Sequence, residues 1–262
     1  MAPEGGAPID YRRGRTAKKV LNIDWAHPVW QAPADPAAAQ PGRTSAVVDG
    51  PLPAAKAYAF VAGEDRRPLL VLRECDRCKG TDHALLSRTL DNEQTLLLTR
   101  WFHCIKLPTH VTGAQHPLRN LFAAPQAGER APHLFFADSD GGNRRGLTGE
   151  QTQTELWETM FEYLERTYAT DARLAIRELR ILLSQLDKVD GSEQEVKSRI
   201  DRETEKNGPR SEKLKPMQAE LRKLQKERDG LLAREQELRQ LAFKPPAKAA
   251  AKVPAPAAGH GG

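Results

Sequence analysis

Two of the chain's three cysteines, Cys75 and Cys78, are spaced C-x-x-C in the stretch "LLVLRECDRCKGTDHALL". Thiols at this spacing support three chemistries: reversible thiol–disulfide exchange, half of a metal site, or none. The stretch starts apolar and continues as an expected helix, so Cys75 is expected at the helix start. Unpaired backbone N–H groups there, and the positive end of the helix dipole, favour thiolate over thiol. Arg73, Arg77 and Lys79 act in the same direction, and Glu74 and Asp76 oppose them. Zinc would draw on Cys75, Cys78, His83, His103 and Cys104, which are suitable ligand types. No second C-x-x-C or H-x-H pair completes a tetrahedral set. His103 and Cys104, adjacent in an expected strand, face opposite ways. No resident metal or cofactor is therefore assigned. Cys104 is expected to be a buried core thiol and His83 a helix-surface residue. His133 either approaches Cys75 and favours its thiolate or is an ordinary strand histidine.

The elements that must position these residues follow from the apolar pattern. "PAAKAYAFVAG" suits a short helix with Gly63 just past its end. "PLLVL", Pro68 to Leu72, is a continuous apolar run of strand length. "TDHALLSRTL" is expected to be helical, with Leu85, Leu86 and Leu90 as its apolar residues. "TLLLTRWFHCIKL", Thr95 to Leu107, is expected to be a second buried strand. A loop from Pro108 to Arg130 follows, with "HPLRNLFAA" as a short helix. His133 to Ala137 forms a strand, Asp138 to Gly142 a turn, and the chain near Arg145 a weak edge strand. "GEQTQTELWETMFEYLERTY" puts Leu156, Met160, Tyr163 and Leu164 on one helical face. Strands alternating with helices predict an α/β class with a parallel pair joined by a crossover.

Beyond Tyr168 the pattern changes. Leu179, Leu182, Leu186, Val189, Val196 and Ile200 recur at mostly three- and four-residue steps among charges. After "NGP" at Asn207 to Pro209, a second stripe runs through Met217, Leu221, Leu224, Leu231 and Leu238. Such steps predict coiled-coil seams, and the breaker between them predicts an antiparallel helical hairpin over 171–243. Gly191 and Gly230 weaken it locally, and Arg228 and Glu235 fall on the seam. Residues 1–50 are rich in Ala, Pro, Gly and Arg and are expected to be a mostly disordered arm. Its exception is Val20 to Gln31, whose two tryptophans are expected to pack on the chain's own folded part. Residues 244–262 form a basic Ala/Lys/Pro tail, also expected to be disordered. The net charge of +5 is too modest for a dedicated nucleic-acid binder. The opening residues lack the apolar core of a signal peptide, and no run of about 18 apolar residues exists, so a cytoplasmic location is expected. "SDGGNRRG" opens no helix in the way a phosphate-binding loop would and is expected to be a turn.

The succession of helix, strand "PLLVL", "CDRC", strand, "AP" before strand "HLFFA", "DSDGG" turn and final helix resembles the thioredoxin superfamily. The resemblance covers residues 51–170 and implies a thioredoxin-like fold, followed here by the C-terminal α-helical hairpin. It implies that Cys75 attacks a substrate disulfide and Cys78 resolves the mixed disulfide. It also implies that Pro132 is a cis-proline lying against the cysteines, with the backbone of Ala131 pairing with the substrate chain. Three positions depart from the family pattern: Glu74 replaces a tryptophan, Asp76-Arg77 replaces Gly-Pro, and Leu69 falls where a buried aspartate relays protons. The expected function is thiol–disulfide exchange on a protein disulfide. The alternative is a non-catalytic thioredoxin-like scaffold that self-associates or binds a protein partner through its coiled coil, and neither reading calls for a membrane.

Overall fold

The computed structural model describes residues 13–30, 50–75, 84–87, 89–123, 131–147 and 150–245. At its centre is strand β1 (Leu69–Arg73), whose first four residues are all buried. Only a strand covered on both faces can carry so continuous an apolar run. β1 pairs in parallel with β2 (His103–Leu107) and antiparallel with β3 (Leu134–Ala137). β4 (Arg145–Leu147) pairs antiparallel with β3 at the edge, giving the order β2-β1-β3-β4. The turn before β4 closes through the Gly141 N–H on the Asp138 carbonyl at 2.9 Å. Gly141 has φ 86°, and a Cβ there would strike the Tyr58 ring. The parallel pair, the turn and the weak edge strand are as the sequence predicts.

Alternation along the strands divides the core. Leu69, Val71, Ile105, Leu107, Phe135 and Ala137 face α2 (Ala54–Ala62) and the loop after β2. Leu70, Leu72, Cys104, Leu134 and Phe136 face α4 (Gln153–Thr167) and the C-terminal helices. α4 starts with a capping box, in which Thr152 and Glu155 satisfy each other's backbone N–H. It buries Leu156, Met160, Tyr163 and Leu164, the face predicted from spacing.

Two expected elements differ. The stretch Thr95–Leu107 is not one strand. It holds α3 (Glu93–Leu98), a 3-10 turn at Thr99–Trp101, and only then β2. β1 is five residues long and offers no partner to a longer strand. Three successive leucines, Leu96 to Leu98, are good helix formers, and the strand-favouring aromatic and β-branched residues Trp101, Phe102 and Ile105 come after them. The residues expected to continue a helix through Leu90 instead form turns in the described part, 84–87 and 89–90. Ser87 and Asn92 explain this. The Ser87 N–H donates to Asn92 Oδ1, the Asn92 amide returns to the Ser87 carbonyl, each at 2.7 Å, and Ser87 Oγ accepts from the Leu90 N–H. Side-chain bonds of this kind compete with helix backbone, and Leu90 is left exposed.

α1 (Arg15–Val20) lies inside the arm read as mostly disordered, with Ala17 and Val20 buried. Gly14 and Thr16 backbone N–H groups bond Asp187 and Asp190, and Arg13 pairs with Glu93 and Asp187. Trp25 and Trp30 pack against the two core clusters, as expected. Ala26 forms an isolated parallel bridge with Ile105 of β2.

α5 (Ala172–Asn207) begins at an Asp171 cap and ends at Gly208, whose φ of 79° suits glycine. α6 (Leu214–Leu238) returns antiparallel. Ion pairs join Arg234 to Glu178, Arg228 to Glu193 and Glu220 to Arg199, so partners climb α5 as position falls along α6. The turn thus lies at the predicted break. Leu179, Leu182, Leu183 and Leu186 of α5 and Leu238 of α6 share one core with the sheet. Trp101 Nε1 donates to the Leu238 carbonyl at 2.9 Å, and Arg100 pairs with the buried Glu235 at 2.8 Å. Past α6, the Ala169 N–H bonds the Ala242 carbonyl and Phe243 stacks on Tyr168. No helix among the described residues is long and apolar enough to cross a membrane.

Candidate functional site

Cys75 emerges at the carboxyl end of β1, beside the carboxyl end of its parallel neighbour β2. The backbone carries pairing past the strand: the Arg73 N–H donates to the His133 carbonyl at 2.8 Å, and the Glu74 N–H to the Leu107 carbonyl at 2.9 Å. Crevices outside the carboxyl ends of parallel strands are where open α/β sheets bind ligands. Cys75 is half-buried and disulfide-bonded. Cys78 and His83 lie outside the described residues, as does the first part, 76–83, of the helix expected to start at the cysteine pair.

The β1–β3 register brings in the next residues. Leu72 stands opposite Leu134, and Arg73 reaches His133. Continued by two residues, the same antiparallel direction takes Ala131 and Pro132 to the end of the sheet where Cys75 leaves it. Ala131 packs partly against the core, and Pro132 is buried. The Ala131–Pro132 bond is trans, because no peptide bond among the described residues is cis. The expected cis-proline is thus corrected. Trans is the intrinsic preference of X-Pro by about 0.5–1 kcal/mol. The trans ring also finds a packing place on β4, about 3 Å from where a Gly146 Cβ would stand.

Arg73 and His133 form a cross-strand pair on the face that leads towards Cys75 and Ala131, because residues two apart share a face. Arg73 Nη2 lies 3.4 Å from His133 Nδ1. Among the described residues Arg73 Nε is buried with no hydrogen-bond partner, and burial lowers the guanidinium below its ordinary pKa. It remains a cation at neutral pH, and a cation near a thiol favours thiolate.

Cys104 is on the opposite face of the sheet, with Sγ 3.3 Å from the Thr99 carbonyl. Burial pushes its thiol pKa well above the ordinary range, so it is an inert core residue, as predicted. His103 faces the other way. Its Nε2 is 3.0 Å from the Val61 carbonyl and its Nδ1 3.0 Å from Asp65. These two proposed zinc ligands therefore do not converge.

Sequence reasoning missed a cleft of about 380 Å³ whose lining includes Glu74, the residue before Cys75. Glu74 and Leu107 lie at the strand ends, and Trp30, Lys106, His110 and His116 line its walls. The arm reaches it because the Ala26 N–H bonds the Cys104 carbonyl and the Ala26 carbonyl accepts from Lys106. The signal was present in "WAHPVW": its second tryptophan, Trp30, packs on the folded part and also builds a wall. His116 Nδ1 accepts from the Leu118 N–H at 3.1 Å, which leaves the proton on Nε2. Burial, and then neighbouring His110, lower its pKa, so it is neutral at pH 7. Comparison with protein-family models, curated proteins and solved structures finds no match for this chain.

Proposed function

We propose that the chain is a thioredoxin-like thiol–disulfide oxidoreductase acting on protein disulfides. The observation that carries this reading is the register: β1 delivers Cys75, and β3 runs back from Ala131 and Pro132, at one end of one sheet. The trans Pro132 departs from the family pattern, so the reading rests on the register and not on the isomer. Arg73 lies two residues before Cys75 and pairs with His133 across the sheet, in a chain that has Leu69 in place of an acidic relay.

In the reducing direction, Cys75 thiolate attacks one sulfur of the substrate disulfide. The S–S bond breaks, a mixed disulfide forms, and the departing thiolate takes a proton from water. Cys78 thiolate then attacks the Cys75 sulfur, releasing the second substrate thiol. Two electrons pass to the substrate, and the Cys75–Cys78 disulfide is reduced again by an external dithiol. Trapping tests this directly. Cys78→Ser should accumulate a mixed disulfide at Cys75 with a disulfide-bonded protein such as insulin, and Cys75→Ser should abolish exchange. Equal exchange in wild type and Cys75→Ser would reject the proposal.

The second reading is a scaffold whose helix pair packs as a coiled coil and binds a partner. It is favoured by Leu174 and Ile181, which are large, apolar and exposed seven residues apart on α5. On that reading both cysteine variants keep partner binding unchanged.

A further inference from the structure

The cleft has no part in the exchange steps above. Glu74, which precedes Cys75 in the chain, contributes to its lining. Its apolar parts are Pro28, Val29, Trp30, Pro108 and Pro117. Trp30 is held edge-on to Phe60 at 4.9 Å, so that wall is preorganised. Val29 is 76% exposed, so its side chain is open to contact at the cleft. The polar part is a group of potential donors. Lys106 sits over the Trp25 ring at 5.3 Å, and the His110 and His116 rings meet at 5.3 Å. His116 carries its proton on Nε2, as its Nδ1 already accepts from backbone.

We propose that this cleft is the substrate-docking subsite. It takes the polypeptide flanking the target cysteine, with an aliphatic or aromatic side chain against Val29 and Trp30 and a neighbouring carboxylate at Lys106 and His116. The proposal rests on the thiol–disulfide reading for its purpose, but not for its detection. About 380 Å³ is the size of cleft that takes one large side chain with its backbone. A lysine ammonium and a neutral imidazole N–H are complementary to an acceptor anion, and Glu74 disfavours a second carboxylate close to Cys75.

Binding and chemistry are tested separately in the full chain. For binding, the Cys75→Ser/Cys78→Ser chain is titrated against fluorescein-labelled peptides lacking cysteine, Gly-Phe-Glu-Ser-Gly and its Gly-Ser-Lys-Ser-Gly counterpart, by fluorescence anisotropy. The Phe-Glu peptide should bind at least tenfold more tightly. Val29→Glu, at an exposed position that leaves folding intact, should remove that preference, and His116→Gln should reduce it when the Phe-Glu peptide is compared with Phe-Gln. Equal affinity for the two peptides, or a preference unchanged by Val29→Glu, overturns the subsite. For chemistry, the wild-type dithiol is reacted with a small aromatic disulfide that needs no docking. A Cys75-dependent reaction with no peptide preference rejects the subsite and keeps the oxidoreductase. Peptide preference without Cys75-dependent exchange keeps the subsite and rejects the oxidoreductase.

Discussion

Asp65 shows how single residues set the conditions under which the fold holds. Burial alone would raise its pKa, but hydrogen bonds from His103 and Arg67 outweigh this and hold the carboxyl well below the usual carboxylate range. Arg67 Nη2 is 2.6 Å and His103 Nδ1 3.0 Å from Asp65 Oδ2. A carboxylate with a depressed folded pKa stabilises the protein above its unfolded pKa of about 3.9 and loses that contribution as pH falls below it. Asp65→Asn should therefore cost about 2 kcal/mol at pH 7. It should also flatten the loss of stability below about pH 4. Urea unfolding at several pH values checks this, and parallel acid profiles for the two proteins would contradict it. Cys104 makes the complementary point. It shares a type with Cys75 but not an environment, and alkylation of the reduced chain at pH 7 should spare it until the protein is unfolded.

Among the elements, the helix pair contains the most informative conflict. Glu193 of α5 is 3% exposed, held by Arg228 of α6 at 2.8 Å and Lys197 at 2.9 Å. Buried ion pairs are costly to break and seldom better than apolar packing. Arg228→Ala should destabilise the chain by about 1–3 kcal/mol. Glu193→Leu with Arg228→Leu should recover the wild-type urea midpoint or exceed it. A single substitution within about 0.5 kcal/mol of wild type would remove the pair from the account of stability. Gly191, mid-helix in α5 with open space where a Cβ would stand, should become a stabilising site as Gly191→Ala, by about 0.5–1 kcal/mol in the same assay. The elements legible in the sequence were those whose pattern is self-contained. β1 is a bounded apolar run, α4 has a capped apolar face, and the helix pair has apolar stripes on either side of Asn207–Pro209. Those that escaped depend on distant partners. α1 spans six residues and is anchored by Asp187 and Asp190, and no local pattern announces it. β2 is short because β1 is short, and residues 84–90 turn because Ser87 and Asn92 bond each other. The strand end that carries Cys75 was legible for the same local reason. The cleft was not, since its wall is brought across by the Ala26 bridge to Ile105.

In the whole molecule, one sheet separates two cores, and the assignment of residues to them limits what each cysteine can do. The face with Leu70, Leu72, Cys104 and Phe136 is sealed by α4 and the roots of α5 and α6. The strand ends are left to Cys75, to Ala131 and Pro132, and to the cleft behind Glu74. This division underlies the central claim, that Cys75 and Cys78 form an exchanging dithiol while Cys104 is structural. Its most direct test is the reduction potential of the full chain, equilibrated in glutathione or dithiothreitol redox buffers, acid-quenched, alkylated and mapped by peptide. The account predicts that Cys75 and Cys78 titrate together as a two-electron couple between about −270 and −120 mV, the span of known exchanging dithiols, with Cys104 outside the transition. A couple below about −300 mV, where structural disulfides lie, or a transition that leaves Cys75 unpaired with Cys78, would contradict it.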